Sequence, residues 1–449
     1  MKWTKTLFFA LLLTSQAKAD DWPQWLGPKR DGVWRETGIL EKFPKGGPLV
    51  RWRVPINPGY TGPAVVGDKI YVMDRIRPKD ADGEPVRAKG GVIPGSERVL
   101  CLKEADGAIL WKDEYECPYK GVQYPQGPRT TPIVRDGKLF TLGAMGDLRC
   151  YDALSGKLHW FKSFVNDYKA KPPVWGWSSH LLLDGDRIIA LVGGEGSAAV
   201  AFQKDTGKEL WRSLTAEEVG YSPPMLYEAG GKRQLIVWLD VSVNALDPVT
   251  GKLYWTTPYP LTGTPQRPAV TIASPTKAGD HLLVSAFYNG SLMLKFQADK
   301  PEVTELWRSK AAVGAKPDTL NAILATPVIQ DGYIYGVCGF GELRCLKADT
   351  GQQVWESYAA TTKKKALFAS AFLTPQGNRF FIANDQGDLI IAKLTPKGYE
   401  EIDRTHLLET TLTTRGRDVI WSHPAYAHRC AFMRNDKEII CVSLAADNL

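Results

Sequence analysis

Apolar, β-rich runs recur along this chain in short stretches, each bounded by a tight turn. Pro132-Ile-Val-Arg precedes Asp136-Gly137 and then Lys138-Leu-Phe-Thr-Leu, and Pro327-Val-Ile-Gln precedes Asp331-Gly332 and then Tyr333-Ile-Tyr-Gly-Val. An Asp-Gly pair between two β-rich runs predicts a hairpin, because both turn positions tolerate a positive φ. A second hairpin follows in each period, as in Gly341-Glu-Leu-Arg-Cys-Leu-Lys-Ala-Asp349. The grammar is four strands per period, here lettered A to D. Helical periodicity is scarce, and only Thr215 to Val219 reads as a short helical turn.

The D strand carries a signature, Asp-x-x-Gly-x-x-x-Trp or a close variant. It appears at Asp106-Gly107 to Trp111, Asp152 through Gly156 to Trp160, Asp205-Thr-Gly207 to Trp211, Asp247 through Gly251 to Trp255, and Asp349-Thr-Gly351 to Trp355. Trp307 closes a copy with a longer turn, and Gly398 to Ile402 is a copy with Ile in the Trp place. With Trp52 the series runs 52, 111, 160, 211, 255, 307, 355 and 402. A period near 50 residues is too long for helical-hairpin repeats and fits four-stranded blades. The repeated Trp is read as an inter-blade packing residue, and the Gly as the residue that permits the turn before it.

The two ends complete the count. Pro48 to Arg53 is a D-type run with no A, B and C before it, and the chain ends after a third strand, Glu438 to Leu444. Pairing these halves closes the ring and removes an exposed sheet edge. The expected fold is therefore all-β, an eight-bladed β-propeller of four-stranded blades. Its last blade is shared between about 46–54 and 423–449, in one domain covering 20–449.

Residues 1–19 read as a signal peptide: Lys2 and Lys5, an apolar run from Leu7 to Leu13, then Ala17-Lys18-Ala19. That implies a periplasmic or secreted protein, and no later stretch reaches transmembrane length. Lys2, Lys5 and Lys18 lie in that segment, so the formal charge of +7 becomes 7 − 3 = +4 for the remainder. So small a charge without a basic cluster argues against a nucleic-acid partner. Of the seven cysteines, Cys101, Cys150 and Cys345 share one register in the repeat and read as strand interior. Cys338 with Cys345, and Cys430 with Cys441, are candidate cross-strand disulfides that export would permit, alongside the reading that they stay reduced.

The signature resembles the tryptophan-docking repeat of quinoprotein alcohol dehydrogenases, which also occurs in the BamB-like and other exported PQQ-like propellers. The stretch Asp21-Trp22-Pro-Gln-Trp25-Leu-Gly27-Pro-x-Arg30-Asp31-Gly32 looks like the opening of the last group. The resemblance covers nearly the whole chain after residue 19. It is specific for fold and weak for function. For the dehydrogenases it implies pyrroloquinoline quinone with calcium, yet no Cys-Cys pair is present and no metal site is found. For BamB it implies a lipid-anchor cysteine, which is absent at the cleavage site.

Residues just before each strand A should ring one mouth of the central channel. The repeat register places there Arg129 and Thr130, Trp177 and His180, Tyr221, Arg267, Asn321, and Trp421 with His423, and Glu195 lies on a B-to-C turn of the same mouth. Arginine forks suit carboxylate or phosphate, and aromatic faces suit a flat cofactor or a sugar. These groups equally suit bonding to one another and to loop backbone, fixing the entrance. No serine elbow, HExxH, phosphate loop or EF-hand loop is present.

The sequence therefore points to a binding or scaffold module, monomeric and without catalysis of its own, for a protein, peptide or carbohydrate partner on the loop-rich face. The alternative is a quinone- and calcium-dependent dehydrogenase of alcohols or sugars, using Arg129, Arg267, Glu195 and Asn321. A carbohydrate hydrolase or lyase is a third reading with no motif behind it.

Overall fold

The computed structural model describes residues 20–260, 267–310 and 317–448. Residues 1–19, read from the sequence as a signal peptide, lie outside them. Eight four-stranded antiparallel sheets form the blades of a propeller. Blade 1 is Ala64–Val66, Lys69–Ile76, Ser96–Lys103 and Ile109–Glu116. Blades 2 to 7 repeat that order, and the A strands are mostly short, as in Ile133–Arg135 of blade 2 and Leu182–Asp184 of blade 3.

Blade 8 is composite. Ala425–Ala427, Cys430–Arg434 and Glu438–Ser443 come from the C-terminal end, and the D strand is Val50–Pro55. Trp52 pairs with Cys441 and Val54 with Ile439 across the closure. No edge is left between the first and last strands of the ring, as expected from the half-blades at either end.

The repeat geometry explains the Gly and Trp positions together. The Trp111 indole N–H donates to the Ala153 carbonyl of the next blade at 3.1 Å, and Trp160 does the same to Lys204 at 3.0 Å. Trp52, Trp211, Trp307 and Trp355 follow the pattern with Glu104, Pro248, Ala348 and Thr395. The rings of Trp52, Trp111, Trp160, Trp211 and Trp307 lie on the turn glycines of the following blades, Gly107, Gly156, Gly207, Gly251 and Gly351, whereas Gly398 after Trp355 has nothing against it. A Cβ on Gly156 would sit 2.6 Å from Trp111, and one on Gly207 2.7 Å from Trp160. The glycine is thus required by its own positive φ and by the neighbouring blade's Trp. Trp255 departs: it faces the blade whose turn is lengthened, and donates instead to Gln234 Oε1 at 2.7 Å.

Two local expectations shift. The single α-helix among the described residues is Phe164–Tyr168, capped by Ser163, whose hydroxyl accepts from the Asn166 N–H. Residues 215–219 carry no helix. Residues 74–98, with several charges and Gly and Pro between two β-rich runs, read from the sequence as an insertion in blade 1, but the insertion is shorter than that, because the ladder continues to Ile76 opposite Ser96. The C-terminal end of the insertion, Val92–Ile93, pairs with Tyr119–Lys120.

Candidate functional site

Residues 20–40 belong to no blade. They run across the channel on the side of the A–B turns, where the Gly67 N–H donates to Asp21. Trp22 bridges to Val65 in blade 1, and the Val134 N–H of blade 2 donates to the Pro23 carbonyl. Arg30 reaches the Leu181 and Pro224 carbonyls at 2.8 and 3.1 Å. The Trp34 N–H donates to Pro375 of blade 7, and Ile39 bridges to Ala445. The segment therefore ties most of the blades together and plugs one end of the channel. Burial pushes the Arg30 guanidinium down to about 10, the expected response of a cation held by carbonyls without a carboxylate.

The other end stays open as a cavity of about 280 Å³. Trp25 is its floor. The Trp25 ring stacks on His180 at 4.1 Å and meets the edge of His423 at 4.3 Å, and its N–H donates to Ser274 Oγ. His180 Nδ1 accepts from the Thr131 backbone N–H at 2.9 Å, which fixes its neutral tautomer. His423 Nε2 lies 2.7 Å from Thr131 Oγ1. Burial pushes His423 down to about 3 and holds His180 well below the usual imidazole range, where His423 and Arg30 add repulsion. An imidazole that protonates so reluctantly is a poor general base at neutral pH.

The walls are aromatic and aliphatic: Tyr60, Tyr124, Trp175, Phe287, Tyr288, Phe368, Phe372 and Trp421, with Val270, Ile272, Ile323 and Leu324. Two guanidiniums complete them. Arg129 stacks on Tyr60 at 4.7 Å and donates to the carbonyls of Trp175, Gly127, Gln123 and Tyr124, so most of its fork is spent on loop backbone. Arg415 hangs from the hairpin of Leu412–Thr414 and Arg417–Val419, exposed, with its guanidinium 6.0 Å over Phe368.

Arg129, His180, Trp421 and His423 thus meet at the cavity. The other residues nominated from sequence are not among its lining residues. Thr130 is buried, its hydroxyl donating to Leu142 O. Trp177 is buried behind the wall and donates to Val192 O. Tyr221 packs behind Trp175, its hydroxyl donating to Glu218 at 2.9 Å. Arg267 is ion-paired with Asp240 and Glu217. Asn321 is buried, with its Oδ1 unpartnered in the protein. Glu195 is exposed on a hairpin turn. All seven cysteines are free thiols, so neither nominated disulfide is formed.

Trp25, Trp175, Phe287, Phe372 and Arg415 were not nominated. Trp25 comes from the segment before the repeats, Trp175, Phe287 and Arg415 from loops where no register assigns a position, and Phe372 from strand A of blade 7, Ala371–Gln376. The one legible signal was the aromatic richness of Asp21 to Trp25.

The donor set does not fit a calcium-held quinone. Among the described residues lining the cavity none is a carboxylate. The acids of neighbouring loops are turned into ion pairs, Asp240 and Glu217 with Arg267, and Asp385 with Arg417 at 2.7 Å. A calcium ion needs several oxygen ligands with charge among them.

The profile of the family described as outer membrane protein assembly factor BamB matches residues 95–303 and 298–397. A relative of that name from Burkholderia pseudomallei is 24% identical over 230 residues, 50% of this chain and 54% of the relative. One from Yersinia pestis is 25% identical over 312 residues, 66% of this chain and 72% of the relative. The chain thus spans about half the length of the first and under three quarters of the second. Among solved structures, BamB from Moraxella catarrhalis superposes with a TM-score of 0.59 at 12% identity, covering 88% of this chain and 99% of that one. Quinohemoprotein alcohol dehydrogenase ADHIIG from Pseudomonas putida HK5 gives 0.52 at 12% identity, covering 95% and 80%. At these identities the superpositions speak to fold alone.

Proposed function

The chain belongs to the family described as outer membrane protein assembly factor BamB, and from that membership we propose that it is an exported scaffold that holds a protein partner during outer-membrane protein assembly. The observation carrying this reading is the family match over the repeats. No carboxylate lines the cavity among the described residues, and both histidines are held neutral by burial.

Further support comes from the rim. Leu154, Phe161, Ile109 and Leu110 are exposed large apolar side chains on the outer strands and turns of the first two blades. Apolar residues at a rim suit a protein surface better than a sugar or nucleic acid. The signal-like residues 1–19 and the family membership support a periplasmic location. No helix among the described residues is long and apolar enough to cross a membrane.

The test is genetic and biochemical. In the host, deletion of this chain should lower the amounts of outer-membrane β-barrel proteins, and re-expression should restore them. The purified chain should bind a component of the assembly machinery directly. Unchanged barrel-protein levels together with dye-linked oxidation of alcohols or sugars, dependent on added quinone and calcium, would overturn the scaffold reading in favour of a dehydrogenase.

A further inference from the structure

The cavity at the channel mouth is larger and more specific than a scaffold requires. Its about 280 Å³ compares with the roughly 150 Å³ of an engineered cavity that takes up benzene. Its inner wall presents flat faces in several orientations. Phe287 meets Phe368 edge to face at 5.7 Å, Trp421 meets Tyr124 at 5.5 Å, and Phe372 lies 5.9 Å from the His423 ring. Such a cage favours a rigid planar ring system, which loses little conformational freedom on binding.

Charge then selects among planar ligands. The lining contains two guanidiniums, two neutral imidazoles and, among the described residues, no carboxylate. Arg129 is tied to four carbonyls and cannot swing. Arg415 differs. Among the described residues it has no hydrogen bond and no ion pair, and it rests only over the Phe368 ring. Neither acid near this hairpin is paired with it: Asp418 accepts from the Thr413 hydroxyl, and Asp385 pairs with Arg417. A cation poised over an apolar cavity with no counter-ion is matched by an anion carried on an apolar body. The indole N–H groups of Trp175 and Trp421, both in the wall, also lack an acceptor in the protein.

We propose that this cavity is a metal-independent binding site for a planar aromatic monocarboxylate of one to two fused rings. The rings enter the aromatic cage above Trp25, and the carboxylate ion-pairs with Arg415 at the mouth. A cationic aromatic of the same shape is disfavoured by Arg129 and Arg415. A neutral one forgoes the ion pair. This inference stands on the cavity and does not depend on the scaffold reading.

Calorimetric titration of the full chain with naphthoate tests it, with naphthalenemethanol and naphthylmethylamine as neutral and cationic counterparts. Saturable naphthoate binding is expected, unchanged by a chelator and at least tenfold tighter than either counterpart. Arg415→Ala should weaken naphthoate roughly tenfold or more and leave naphthalenemethanol unchanged, since a charge-assisted hydrogen bond is lost and the cage is not. Ile323→Trp should fill the cavity and abolish both. An unchanged melting transition for the two variants shows that each still folds. The proposal is overturned if naphthoate fails to bind at millimolar concentration, if the amine or alcohol binds as tightly, or if Arg415→Ala has no effect.

Discussion

Trp25 stacks face to face on His180, with ring centroids 4.1 Å apart and planes within 4° of parallel. The contact joins a residue outside the repeats to the entry of strand A in blade 3, and it makes the floor of the cavity. Trp25 is 6% exposed, so truncation would leave a void that the rigid ring of blades cannot close. Trp25→Ala should cost about 3–5 kcal/mol, the range for a large aromatic removed from a core. Urea unfolding would measure it. A loss below about 1 kcal/mol would mean that the floor is held by the backbone ties of residues 20–40 and not by this ring.

The two buried histidines make stability sensitive to acid. Both have folded-state values below the free imidazole, His423 at about 3 and His180 in the same direction. A depressed value means that the unfolded chain takes up the proton first. Their contribution is full above about pH 6.5 and is lost as the pH falls toward about 3, at up to ~1.4 kcal/mol per pH unit for each histidine. His423→Asn should be less stable than the natural chain at pH 7, and its stability should fall less steeply between pH 6 and 4. Equal slopes would show that His423 is already charged in the folded protein.

Two glycines with the same backbone separate packing from strain. Gly156 has φ +73° and Gly137 has φ +72°. A Cβ at Gly156 would meet Trp111 at 2.6 Å, whereas one at Gly137 would meet nothing within 4 Å. Gly137→Ala should cost only the left-handed conformation, about 1 kcal/mol. Gly156→Ala should cost that plus the displacement of an inter-blade indole, about 2–4 kcal/mol in all. Paired thermal melts would read the difference. Equal costs would mean that Trp111 moves aside freely.

How much of this was legible beforehand follows from where the repeat reaches. Register arguments located the mouth residues Arg129, His180, Trp421 and His423, because each precedes a strand A in a chain that repeats. They located the composite blade through Trp52, since a D-type run without A to C before it has one economical partner. They could not see Trp25, Phe287, Phe372 or Arg415. Trp25, Phe287 and Arg415 sit in connections whose length and path vary from blade to blade, Phe372 sits one residue into strand A of blade 7, and their convergence is a property of the closed ring. Glu195 failed to reach the cavity for the same reason: its turn has the right register, but its side chain points to solvent. Net charge gave no hint that the cavity lacks acids, because the acids of nearby loops are present and merely turned into ion pairs with Arg267 and Arg417.

A last prediction concerns the anchor of the blade-1 insertion. Glu97, wholly buried, accepts hydrogen bonds from Tyr115 at 2.6 Å, from Tyr119 at 2.5 Å and from the Ala144 N–H at 2.9 Å. Arg75 and Arg149 stack over the same two tyrosine rings at 3.6 and 3.5 Å. Asp147 sits beside this network, where burial, then the Glu97 charge, push its carboxyl up to about 6. A raised value gives the opposite sign to the histidines. The unfolded carboxyl releases its proton first, so the contribution is full below about pH 4 and is lost as the pH rises through 6. Asp147→Asn keeps the shape and removes the charge. Relative to the natural chain, it should gain roughly 1.4 kcal/mol between pH 5 and pH 8, about half the free energy of the two-unit shift, because the other half is already lost between pH 4 and pH 5. Unfolding curves at those two pH values decide the matter. A stability difference that stays constant between them would show that Asp147 ionises as an ordinary carboxylate and that Glu97 does not feel its charge.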